Sequence, residues 1–152
     1  MKQLMIKGLV VSILAMSASV CADEVWETTT GRIVYESEIG PTAVWSYGTQ
    51  SDPGVIYLLG LAKVYENRGS YNGYWAKHNS PKRCGTSRPG MLGEMTPFWG
   101  RFNVKFIDKN FPSRWEASWS YCDGEYEAMK VEAQPLVGDG GEPDAKSEVS
   151  AQ

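Results

Sequence analysis

The sequence predicts an all-β domain: a single antiparallel meander closed as a small β-barrel, with a two-sheet β-sandwich as the alternative. Three observations carry this expectation. Bulky apolar and polar side chains alternate with a period of two through most of residues 23–134. Turn-forming Gly, Pro, Asn and Asp pairs punctuate the alternating runs at short intervals. No window there is long enough and regular enough to form the apolar stripe of an amphipathic helix. Strands that are apolar on one face must close or pack on one another, because each alone leaves that face in water.

The elements follow in order. In GRIVYESEI (31–39), Ile33, Tyr35, Ser37 and Ile39 oppose Arg32, Val34, Glu36 and Glu38. Gly40-Pro41 turns the chain, and Trp45 and Tyr47 then alternate with Val44 and Ser46, so a hairpin is expected over 31–48. After the turn Asp52-Pro53-Gly54, the run VIYLLGLAKVY (55–65) puts Ile56, Leu58, Gly60, Ala62 and Val64 on one face. Gly60 inside that run signals a bend of the kind found at barrel corners. Asn67-Arg68-Gly69 leads into YNGYWAKH (71–78). Residues 79–96, rich in Pro, Gly and Ser and carrying Cys84, form the longest loop, a length usually kept for function or mobility. FWGRFNVKFID (98–108) sets Phe98, Phe102, Val104 and Phe106 against Trp99, Arg101, Asn103 and Lys105. RWEASWSY (114–121) sets Trp115, Ala117, Trp119 and Tyr121 against Arg114, Glu116, Ser118 and Ser120. Asp123-Gly124 predicts a hairpin turn that returns EYEAMKVE (125–132) as the last strand.

Both ends differ from this body. Residues 1–22 carry Lys2 and Lys7 and then an apolar run from Leu9 to Met16, too short to span a bilayer. Val20 and Ala22 fit a signal-peptidase site, so 1–22 is expected to be a signal peptide that removes Cys21 with it. The residues before Cys21 fit a lipoprotein site poorly. Residues 135–152 hold no aromatic side chain and an excess of acids, and are expected to form a disordered acidic tail. The domain proper is then 23–134. The chain's net charge of -3 becomes -5 once Lys2 and Lys7 are gone, and the mature chain offers no membrane span. Export leaves Cys84 and Cys122 as an even pair in an oxidising compartment, which reads as one disulfide. A metal site or a reactive thiol are the alternatives. The product is expected to be periplasmic or secreted.

Six Trp, eight Tyr and four Phe are a heavy aromatic load, and they recur beside Gly in GSYNGYW (69–75), FWGRF (98–102) and RWEASWSYCDG (114–124). This grammar resembles that of small secreted calycin-type barrels, the lipocalin and avidin group. The resemblance implies a ligand-holding barrel. Trp45, Tyr47, Tyr74, Trp75, Trp115 and Trp119 are the candidate ligand-binding rings, since each combines apolar area with a polar edge. The same rings would also serve simply to fill a barrel. Trp75 and Trp99 share strand faces with Lys or Arg, so partial exposure is expected there.

A second candidate lies in KHNSPKRCGTSR (77–88), where Lys77, Lys82, Arg83 and Arg88 gather beside His78 in an otherwise acidic chain. Such a cluster suits an anion or a partner protein. The overall negative charge argues against nucleic acid. Catalysis finds little support: His78 near Ser80 is not a triad, and the pairs Glu36/Glu38 and Glu125/Glu127 match an ordinary solvent-facing strand. There is no P-loop, HExxH or calcium loop, and no metal or cofactor is expected. The expected function is therefore an exported, non-catalytic protein holding a small apolar or aromatic molecule, or a glycan, in an aromatic-lined barrel. The alternative is an interaction or inhibitor module that turns the 77–96 loop towards an envelope or extracellular protein.

Overall fold

The computed structural model describes residues 24–137. The expected leader and nearly all of the expected acidic tail lie outside the described residues. Eight strands close into an antiparallel barrel: β1 (Val25–Thr28), β2 (Gly31–Ile39), β3 (Thr42–Gly48), β4 (Pro53–Leu59), β5 (Ser70–Lys77), β8 (Phe98–Phe106), β9 (Trp115–Trp119) and β10 (Val131–Pro135). The remaining two, β6 (Arg88–Pro89) and β7 (Met95–Thr96), form a small ribbon inside the long β5–β8 connection. The barrel, not the sandwich, is the fold. Each barrel strand pairs with the next barrel strand along the chain, β5 with β8 across the ribbon, and β1 closes the circle by pairing with both β2 and β10. Among the described residues no helix is long and apolar enough to cross a membrane.

Closure assigns the alternating faces. Ile33, Tyr35, Trp45, Ile56, Leu58, Trp75, Phe102, Val104, Phe106, Trp115 and Ala117 point into one buried interior cluster. A bulge between Tyr35 and Ser37 shifts the phase of β2, so Ile39 ends up exposed instead of continuing the inner face. The 55–65 run is shorter as a strand than its pattern suggests. It stops at Leu59, because Gly60 takes a positive φ of 84° and turns the chain off the sheet. The last strand also falls later than EYEAMKVE. Residues 123–130 form turns and bends that leave Tyr126 and Met129 exposed, and the inward phase begins only at Val131 and Ala133.

The two ends of the barrel are unlike. The end formed by the β2–β3, β4–β5 and β8–β9 connections is sealed. Arg68, expected only as a turn residue, is fully buried there. Its Nη1 and Nη2 donate to Glu24 Oε2 and Oε1 at 2.7 and 2.5 Å, and its Nε donates to the Val64 carbonyl at 2.7 Å. The guanidinium lies 4.9 Å from the Phe106 ring centre. Above it, Trp26, Trp45 and Trp115 pack with centroid distances of 4.8, 5.9 and 5.2 Å. This block fills the sealed half of the interior.

A second, smaller core lies outside the barrel. Val44, Val55, Ala76 and Trp99 face outwards but are buried with Cys84 beneath the β5–β8 connection. Tyr57 and Tyr74 donate their hydroxyl hydrogens to the carbonyls of Gly90 and Pro89, and the Trp99 indole N–H donates to Thr86, so the connection is fastened along its length. Cys84 and Cys122 are joined as a disulfide, which ties this strap to the segment after β9. Trp75 and Trp99 are thus both buried, at 6% and 1% exposure, contrary to the expectation from their charged face-mates. Trp75 is inside the barrel, and Trp99 is under the strap.

Candidate functional site

The open half of the barrel is a cavity of about 450 Å³, a size typical of small-molecule sites. Its floor and walls are apolar: Ile33, Ile56, Trp75, Phe102, Trp119 and Val131. Its mouth is polar, with Tyr47, Asp52, Lys77, Ser80 and Tyr121 around the rim. The strand period explains this division. Inner residues near mid-strand fill or line the interior, whereas the last inner residue of each strand meets water at the mouth.

Three rings form the wall on one side. Trp75 lies edge-on to Trp119 and Tyr121 at 6.4 and 5.9 Å, and Trp119 meets Tyr121 at 5.1 Å. The Trp75 indole N–H donates to the Ser120 carbonyl at 2.8 Å, which fixes that ring. Across the mouth, Tyr47 lies over Gly54, where any Cβ would overlap its ring. Gly54 therefore makes the shelf on which Tyr47 rests. Burial, reinforced by the nearby Asp52 carboxylate, pushes the Tyr47 hydroxyl well above the usual tyrosine range, so it stays a neutral donor. Lys77 Nζ sits 5.4 Å from the Tyr47 ring centre and 2.6 Å from Asp52 Oδ2. The rim thus offers a cation, a carboxylate and a phenol above an apolar well.

The candidate rings divide into three places. Tyr47, Trp75 and Trp119 line the cavity. Trp45 and Trp115 are fully buried in the sealed half and do not line it. Tyr74 is on the outer face, under the strap. Ile33, Ile56, Phe102, Tyr121 and Val131 complete the lining. The alternation groups Ile33, Ile56, Phe102 and Tyr121 on faces of their strands but does not say which face is inner, and it assigns no face to Val131; which inner positions border empty space depends on the filling of the sealed half.

The basic cluster of 77–88 does not converge either. Lys77 turns into the cavity mouth. Arg83 lies 5.9 Å from the Phe98 ring, Arg88 lies 4.2 Å from the Trp99 ring, and Lys82 is exposed. Comparison with protein-family models, curated proteins and solved structures finds no match to the chain.

Proposed function

We propose that this is an exported, periplasmic or secreted, non-catalytic binding protein that takes a small, largely apolar, ring-bearing molecule into the open half of its barrel. The observation that supports this most is the division of the interior, one half packed solid with tryptophan and the other left as a well of about 450 Å³. An apolar body would rest against Trp75, Trp119 and Phe102, with a polar end at Lys77 and Tyr47. A glycan suits the well less, because its hydroxyls would face Ile33, Ile56 and Val131 without partners. The resemblance to calycin-type barrels supports the same reading.

The test uses N-phenyl-1-naphthylamine, a neutral apolar fluorophore. Its emission should rise on addition of the protein and stay low with Ile56→Trp, which fills the well. The variant's melting temperature provides the fold control. Equal enhancement by both folded proteins would overturn the proposal.

One observation favours a partner-docking role as a second reading. Leu92, at the tip of the β6–β7 ribbon, is 98% exposed and held at a φ of 54°, and Met95 beside it is 64% exposed. If this tip docks a partner, Leu92→Asp should abolish capture of a specific envelope protein. Undiminished capture would remove this reading.

A further inference from the structure

A second recess, of about 400 Å³, lies on the outer wall across β3, β4, β5 and β8, and is separate from the barrel cavity. Tyr57, Asn72, Tyr74, Arg88, Trp99 and Arg101 line it. The two tyrosines form a platform, with centroids 5.2 Å apart and planes tilted by 40°. Their hydroxyls are tethered to Gly90 and Pro89, so the platform is rigid before any ligand arrives. The Arg88 guanidinium lies 4.2 Å from the Trp99 centroid and 5.2 Å from that of Tyr74. Arg101 lies 4.5 Å from the Tyr126 ring, and its Nε is buried without a hydrogen-bond partner among the described residues.

The charge pattern gives this recess its meaning. Acids outnumber bases in the chain, and Arg32, Arg68, Lys77, Arg114 and Lys130 all have carboxylate partners. Arg88 and Arg101, like Lys82, Arg83 and Lys105, make no ion pair among the described residues, but of these cations they alone line the recess, and each lies over a ring. Stacking leaves the forked edge of the Arg88 guanidinium free for a planar anion, whereas Arg101 already donates from Nη2 to the Gly124 carbonyl and has its Nε left unpaired. A rigid pair of phenol rings suits the C–H face of a pyranose, and the Asn72 amide can meet its hydroxyls.

We infer that this recess binds an acidic oligosaccharide, with sugar rings on Tyr57 and Tyr74 and a carboxylate on Arg88 and Arg101. A long polyphosphate is disfavoured by the net negative charge of the protein around a site with only two cations.

The experiment is calorimetric titration of the full chain with trigalacturonate and with its methyl ester, which keeps the rings and removes the charges. The acid should bind, and the ester should bind at least about tenfold more weakly, the loss of one charge-assisted hydrogen bond. Arg88→Gln and Arg101→Gln should each weaken the acid by a similar factor. Arg88→Lys, which keeps the charge but not the fork, should fall between Arg88→Gln and the parent. N-phenyl-1-naphthylamine enhancement should be unchanged in all three variants, which separates this site from the barrel well. Equal binding of acid and ester, no binding of the acid, or displacement of the acid by hexathymidylate with higher affinity would overturn the inference. So would an Arg88→Gln protein that melts normally and binds the acid as tightly as the parent.

Discussion

Two tryptophans with the same burial need not contribute in the same way. The Trp26 indole N–H donates to the Ser113 carbonyl at 2.8 Å, whereas those of Trp45 and Trp115 find no partner among the described residues. Replacing Trp26 by Phe therefore strands a buried carbonyl as well as shrinking the ring, whereas replacing Trp115 by Phe shrinks the ring but also removes an unpaired buried N–H. Chemical denaturation should show Trp26→Phe as the costlier change by about 1 kcal/mol or more. Arg68 gives a larger effect. Arg68→Met leaves Glu24 buried and unpaired, and should cost about 3–5 kcal/mol. Adding Glu24→Leu should recover much of that loss in the same assay. Tyrosines set the alkaline limit. Tyr35 and Tyr47 are both shifted upwards, chiefly by burial, and for Tyr35 also by its hydrogen bond to Glu38. An unfolded chain releases these protons near pH 10, and the folded one holds them longer. Their contribution to stability is thus complete below about pH 10 and is lost as the pH rises above it. Phenolate absorbance should accordingly show two tyrosines ionising only as the fold is lost.

At the scale of elements, the β5–β8 strap connects the core to the site. Asn79, Ser80 and Pro81 border the cavity a few residues before Cys84, and Tyr121 borders it immediately before Cys122. The disulfide therefore holds two parts of the mouth together. A Cys84→Ser/Cys122→Ser protein should lose about 4 kcal/mol, the loop-closure value for a separation of 38 residues, measured by thermal melting in non-reducing buffer. Fluorophore binding should weaken as well, while the sealed half stays packed. The sequence made this strap visible as a loop with one cysteine, but not as a lid on an outer core. The reason is physical: the strap covers part of the outer face of β3, β4, β5 and β8, so Val44, Val55, Ala76 and Trp99 are buried although they alternate out of phase with the interior. Alternation marks two faces and is silent on which one is wet when both are dry. Tyr74 accordingly stands on the outer face under the strap and not in the barrel cavity.

Taken whole, the all-β fold was legible because period-two patterning, short turns and the absence of helical stripes agree with one another, and they left a sandwich as the alternative to the barrel. What was not legible was the strand that makes the closure. β1 is a four-residue strand with one buried ring, Trp26, and offers too little pattern to stand out, yet it joins β2 to β10 and completes the circle. The bulge in β2 and the late onset of β10 are local irregularities of the kind that set the twist and taper of a barrel. The division of the interior likewise rests on how many large rings meet at one level, which no single strand's pattern records.

The described chain enters at Glu24 and leaves at Val137 on the sealed side, where the Leu136 amide donates to the Val25 carbonyl at 2.8 Å. In a protein trimmed to residues 24–137, a reporter, a bead linker or a surface tether fused at either end would hang from the base of the cup and leave its opening facing away from the support. Joining the neighbouring ends of that trimmed protein and cutting it at an exposed bend elsewhere would yield a permuted molecule with the same cup.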